Sequence, residues 1–274
     1  MAKSKLDLDN IKRTYFFIDK PVPYELKDGN TIEIKPIRLI DSEFFLSSAD
    51  VLSINKNSLN SVDIIQMSYL KFLFMVAFSD KNNIHRLVNI LMLSCGIKLP
   101  KAALDDKQHA ILIDEATGIK ITEKEFDDIK TIILHQNFID YYEDYVDPYL
   151  KRAMERQDNL AMKKFEPISL ERKIAIISAH TGITKQEQLE MTYRSHSMLF
   201  NEVCGEVRYS VSMPVALVSG GGDKVEDWIY KKKQGKFDKY VTTLDEFGKQ
   251  SGISMGAIKT KVSSQINDEF MDIK

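Results

Sequence analysis

Three times along the chain a threonine stands three residues ahead of a glutamate at the head of a periodic stretch: Thr122-Glu-Lys-Glu125, Thr184-Lys-Gln-Glu187 and Thr243-Leu-Asp-Glu246. In such a capping box the hydroxyl accepts one orphan backbone N–H at a helix start and the carboxylate accepts another. A chain with three of them is organised around helices. The first box opens a helix with Phe126, Ile129 and Ile133 on one apolar face. The second opens a short helix ending near Met191. Thr192 starts the next, with Tyr193, Met198, Leu199 and Val203 as candidate core residues. Ser169 caps the helix before them, and His180 falls in its last turn, where a cation suits the helix dipole. Upstream, the spacing predicts helices over Asp41–Leu52, from the N-cap Ser61 through Phe78, and over Asn83–Ser94 with Gly96 as its C-cap. Asp147-Pro148 marks a further start. It leads into the charged stretch Tyr149 to Lys164, read as an exposed helix or a spacer closed by Pro167. Val207–Val218 stays open between states: Val207, Tyr209 and Val211 alternate like a strand, and Pro214 interrupts.

Strand signals are fewer. Thr14–Ile18 is aromatic and β-prone until Pro21 and Pro23 break the run. Tyr24–Leu26 and Thr31–Leu39 flank Lys27-Asp28-Gly29-Asn30. Asp-Gly between alternating apolar residues is a hairpin signal, because glycine accepts φ > 0 in the tight turn. Ile32 and Ile34 share a face, and Pro36 cannot donate a ladder bond, so this strand belongs at an edge or a bulge there. Ile111–Ile113 and Ile119–Ile121 form a second hairpin around Asp114–Gly118. The fold class expected is mainly α, in the α+β sense: a multi-helix body with small antiparallel β hairpins and a C-terminal helical hairpin.

Composition and motifs exclude more than they identify. Lys and Arg number 38 and Asp and Glu 40 in 274 residues, so no global field draws nucleic acid or acidic lipid to the chain. Cys95 and Cys204 lie far apart and read as buried thiols in a reducing cytoplasm. Met1–Asn10 alternates Lys and Asp without an apolar core, so no secretory signal is expected. The longest apolar run, Leu87–Ile97, contains Asn89 and Ser94 and is too short to span a bilayer. His85, His109, His135, His180 and His196 are scattered, with no H-E-x-x-H and no C-x-x-C, so no metal is expected. Ser219-Gly-Gly-Gly-Asp223 lacks the Gly-Lys-Ser/Thr ending of a P-loop, and Asp223 would repel phosphate; no nucleotide or other cofactor is expected. No serine sits in a G-x-S-x-G elbow. Asp127-Asp128 read as the solvated face of an amphipathic helix rather than a general acid–base pair. No catalytic residue is assigned.

Ser219–Asp223 reads instead as a flexible joint. It divides the chain into a mainly helical body, residues 1–218, a Gly-rich linker, 219–224, and a small helical module, 225–274. Within the module, Leu244–Val262 has the look of a helix-turn-helix. Gly252 falls in the turn, and Ser254 caps a second helix presenting Met255, Lys259 and Lys261. Those four are the candidate nucleic-acid contacts, although a helix this mildly basic reads equally as part of an ordinary helical hairpin.

The order of these pieces resembles tail assembly chaperones of long-tailed phages that infect Gram-positive bacteria. The resemblance runs over roughly Tyr24 to Trp228. It is carried by the β opening with its Asp-Gly turn, Ile121-Thr-Glu-Lys-Glu-Phe-Asp-Asp-Ile-Lys130, Gln136-Asn137 and Asp147-Pro148-Tyr-Leu-Lys151. Thr181-Gly182-Ile183, Met191-Thr-Tyr-Arg194, Ser219-Gly220 and Val225-Glu-Asp-Trp228 continue it. The three glycines and the hairpin-like C-terminus depart from the pattern. The resemblance implies a non-enzymatic helper in the host cytoplasm, with the tape measure and tail tube proteins as partners and oligomerisation left open. Such proteins coat the long hydrophobic tape measure protein before the tube polymerises around it. That work needs amphipathic helices with exposed apolar stripes and weak multivalent contacts that tube subunits can displace. The Met-bearing helix from Ser61 suits it, since Met repacks against irregular partners, although a core role is the plainer reading. Trp228 and Tyr230, beside Lys231-Lys-Lys233, are candidate partner anchors, with a core role for Trp228 as the alternative. Two other classes stay open: a structural virion component at a tail or head vertex, and a DNA-binding regulator using the C-terminal pair.

Overall fold

The computed structural model describes residues 6–59, 61–139, 156, 168–220, 225 and 229. The architecture is mainly α with two small antiparallel sheets. The hairpin forms where the Asp-Gly spacing puts it. β1 (Val22–Glu25) and β2 (Thr31–Ile34) pair with Val22 opposite Ile34 and Glu25 opposite Thr31. Gly29 takes φ 86°, and the Asp28 carboxylate accepts the Asn30 amide at 2.9 Å. Ile32 and Ile34 both face the core, and β2 ends before Pro36.

Ahead of the hairpin, Thr14–Ile18 is not a strand. Asp7 caps α1 (Leu8–Thr14) by accepting the Asn10 amide at 3.1 Å. One 3-10 turn, Phe16–Ile18, then buries Phe16 and leaves Phe17 exposed. Aromatic β propensity reflects fit to a pleated, half-buried surface, and here the local cap and the burial of one ring decide instead.

α2 (Ser42–Ser53) packs along α5 (Lys81–Cys95), which Asp80 caps through the Asn82 amide and Gly96 ends at φ 69°. Between them the single helix expected from Ser61 to Phe78 is broken into α3 (Val62–Gln66), α4 (Tyr69–Met75) and a 3-10 turn, Ala77–Ser79. The Ser61 side chain makes no capping bond. Ser68 starts α4 afresh by accepting the Lys71 amide at 3.2 Å, and the Lys56 ammonium takes the Ile65 and Met67 carbonyls at the end of α3. The break turns Tyr69, Leu70, Phe72 and Leu73 into the core and leaves Met75 outside.

The second hairpin is one edge of a three-stranded sheet. β3 (Pro100–Leu104) pairs with β4 (Ala110–Asp114), and β4 with β5 (Lys120–Thr122), both antiparallel. Lys101-Ala-Ala carries little strand signal, so β3 escapes the pattern. β5 runs straight into α6 (Glu123–Gln136), where the capping box forms as its spacing requires. The Glu125 carboxylate accepts the Thr122 amide at 2.8 Å and also the Lys27 amide of the hairpin at 2.7 Å. Burial pushes this carboxyl up, but the Thr122 hydroxyl and amide and the Lys27 amide outweigh it and hold it below the ordinary glutamate range. Asp127 and Asp128 are not a merely solvated face. Asp128 accepts the Tyr24 hydroxyl at 2.7 Å, which ties β1 to α6, and Asp127 Oδ1 is buried.

Phe16, Ile34, Phe45, Leu70, Ile90 and Phe126 belong to one core that joins these elements apart from β3. α7 (Leu170–Thr181), α8 (Lys185–Glu190) and α9 (Tyr193–Val218) form a second packing unit. Its hub is Gln188, fully buried. The amide nitrogen donates to the Ile174 carbonyl, the Ser178 hydroxyl and the Ile183 carbonyl at 3.2, 2.8 and 3.1 Å, and Oε1 lies 3.2 Å from His196 Nε2. Gly182 ends α7 at φ 75°, with His180 in the last turn. Val207–Val218 is helical throughout, as the second half of α9, and Pro214 lies inside it. Proline has no N–H, so the Ser210 carbonyl loses its helical donor there.

Cys95 and Cys204 are free thiols. No helix among the described residues is long and apolar enough to cross a membrane. Gly221–Asp223, the capping box at Thr243, nearly all of the charged stretch 149–164 and the helical pair of the C-terminal module lie outside the described residues.

Candidate functional site

The site builds on the seam between the two packing units. Residues 37–39 and 191–193 run antiparallel for a moment: Leu39 N–H donates to the Met191 carbonyl at 2.8 Å and Tyr193 N–H to the Ile37 carbonyl at 2.7 Å, around a bridge between Arg38 and Thr192. Arg38 also pairs with Glu190 at 3.3 Å. Thr192 is the N-cap of α9 and accepts the Ser195 amide at 3.1 Å. Its hydroxyl proton goes to Asp19 Oδ1 at 2.8 Å, and the Ser195 hydroxyl donates to Asp19 Oδ2 at 2.7 Å. Asp19 sits at φ 55°, a left-handed conformation that Asp tolerates better than most side chains. Both oxygens of one carboxylate thus lock the first turn of α9 onto the segment after α1.

That lock aims Arg194. The guanidinium lies 4.1 Å from the Phe138 ring centroid and 5.5 Å from that of Phe16, and Nη1 donates to the His135 carbonyl at the end of α6 at 3.1 Å. Stacking and one fixed hydrogen bond hold a planar guanidinium in a single orientation. Burial lowers its pKa, opposed by the nearby Asp19 carboxylate, and Arg stays charged at any physiological pH. His135 is held below the ordinary imidazole value by burial and by Lys12 and Arg194. A cleft of about 560 Å³ opens beside these groups, lined by Lys12, Arg13, Phe16, Phe17, Arg194, Ser195 and Met198. Phe17 is 84% exposed at its mouth. The arrangement offers fixed positive charge beside exposed rings. Among the described residues no three His, Cys, Asp or Glu side chains gather as metal ligands.

A second surface lies further along α9. Val207, Val211, Val215 and Val218 recur at four, four and three residues, which puts them within one narrow arc of the helix. Their exposure rises along the helix, from 37% at Val207 through 65% and 66% to 92% at Val218. The stretch Val207–Val218 contains one charged residue, Arg208. β-Branched residues are poor helix formers, and exposed ones return nothing to the fold. Four on one face make an exposed apolar stripe.

The sequence singled out Trp228, Tyr230, Ser254, Met255, Lys259 and Lys261 as contacts, and all six lie outside the described residues. The cleft was not anticipated. Its one legible trace is Lys12-Arg13 followed closely by Tyr15-Phe16-Phe17, cations beside rings, while Met191-Thr-Tyr-Arg194 reads only as a helix start. No family model, curated protein or solved structure matches the chain.

Proposed function

We propose that the chain is a non-enzymatic tail assembly chaperone of a long-tailed phage, and that it holds the tape measure protein during tail morphogenesis. The valine stripe of α9 carries this reading. It is helical and uncharged but for Arg208, and it lies in the half of the helix beyond Val203, where no residue is buried. An amphipathic helix of a partner lies against such a stripe by matching i, i+4 and i+7 anchors. Between Val207 and Val218 the stripe spans about 17 Å at ~1.5 Å per residue. That is three turns of contact, enough for a weak grip repeated along a long helix and too little for an obligate interface. The resemblance to tail assembly chaperones supplies the identity of the partner: the tape measure protein, with the tail tube protein as the competitor that displaces the chaperone.

The test is fractionation of a phage infection. The chain is expected with tape measure protein in the infected-cell lysate and missing from purified virions. Recovery in virions at fixed stoichiometry would make it a structural component, and recovery with neither tail protein would end the chaperone reading.

A further inference from the structure

The cleft between α1 and α9 holds chemistry that the chaperone reading does not use. Lys12, Arg13 and Arg194 bring three cations to it, and Phe16, Phe17 and Met198 give it apolar walls. Lys12 meets the exposed Asp9 at 3.8 Å, and Arg13 has no carboxylate partner among the described residues. Arg194 is fixed by two rings and by one hydrogen bond, to the His135 carbonyl, so its other N–H groups are left for a ligand. The Asp19 carboxylate beside it has both oxygens engaged by hydroxyls. One fixed guanidinium and two surface cations beside the exposed Phe17 ring select a peptide that carries carboxylates next to large apolar side chains.

We infer that the cleft binds the segment Asp268-Glu-Phe-Met-Asp-Ile273 of this same chain. The segment lies outside the described residues, and its sequence fits the site. Asp268, Glu269 and Asp272 match the three cations in number, and Phe270, Met271 and Ile273 match the apolar walls. The tether allows it. α9 carries the chain 26 residues away from the cleft, about 39 Å at ~1.5 Å per residue. Residues 221–267 follow before the acidic segment begins. Even wholly helical, that length of chain exceeds the length of α9, and extended it spans several times more, at ~3.3 Å per residue. Docking there would leave the valine stripe free, so this inference stands apart from the chaperone reading.

The experiment places the photo-crosslinker p-benzoylphenylalanine at Phe17 in the full chain and maps its adducts by mass spectrometry. An equal mixture of ¹⁵N-labelled and unlabelled copies separates contacts within a chain from contacts between chains. The expected product joins position 17 to residues 265–274 of the same copy. Its yield is expected to fall about tenfold in the D268N/E269Q/D272N variant, and similarly in Arg194→Gln, as charge-assisted contacts are lost. The triple variant is expected to keep the wild-type thermal melt, which separates lost docking from lost fold. Adducts confined to other acidic stretches, residues 140–147, 225–228 or 244–247, adducts between labelled and unlabelled copies, no adduct within 265–274, or an unchanged yield in the triple variant would each overturn the inference.

Discussion

Asp19 and Arg194 show how much one side chain can decide. Asp19 spends a left-handed backbone conformation on a carboxylate that holds two hydroxyls of α9. Asp19→Ala is expected to lower unfolding free energy by ~1–3 kcal/mol, because two part-buried hydroxyls lose their acceptor. Asp19→Asn, which keeps the left-handed tolerance and one acceptor, is expected to cost less; urea denaturation of both variants checks the order. The buried imidazole of His196 and the half-buried one of His135 make a second prediction. Burial lowers the pKa of His196, aided by Lys173, and of His135, aided by Lys12 and Arg194. Between the folded value and the unfolded value near 6.5 the unfolded chain binds more protons, so stability is complete above that window and falls as pH drops through it. The melting temperature should therefore be lower at about pH 5.5 than at about pH 7.5. An undiminished difference in the H135Q/H196Q variant would show that other groups cause it. Sequence could reveal little of this. Arg194 stacks on Phe16 and Phe138, rings far from it along the chain, and its own neighbourhood says only that a helix begins.

At the scale of elements, the local rules worked where the deciding atoms lie within four residues. The capping boxes at Thr122 and Thr184, the Asp-Gly turn and the glycine ends of α5 and α7 are all local devices, and all formed. Gly182 offers a clean measure of one of them. It takes φ 75°, and nothing lies within 4 Å of where a Cβ would stand. Gly182→Ala is thus expected to cost ~1–2 kcal/mol from backbone conformation alone, read as a shifted chemical denaturation midpoint with an unchanged slope. The failures share a cause as well. Ser68 and Lys56 break the helix after Ser61 through contacts that an apolar count ignores. β3 exists because β4 offers an edge, not because Lys101-Ala-Ala prefers a strand. Alternating valines at Val207–Val211 imitate a strand, and the helix continuing from Thr192 overrides them.

At the scale of the molecule, the two packing units are joined by few but specific contacts: the Arg38–Thr192 bridge, the Asp19 lock and the reach of Arg194 to α6. The mainly α class with small antiparallel sheets was legible from the chain, whereas the pairing of these units was not, since it rests on hydroxyls and backbone groups without a sequence period. The valine stripe was half legible: its residues are plain in the sequence, and its exposure needed the helix. It also carries the functional reading. The most direct test is isothermal titration of the full chain with the predicted amphipathic helical segments of the tape measure protein from the same phage. The V211E/V215E variant serves as comparison. Both positions are about two-thirds exposed, so the melt should be unchanged. Binding by the wild-type chain, weakened about tenfold or more by the two glutamates, is the predicted result. No binding by the wild type, or equal binding by a variant that melts normally, would contradict the account.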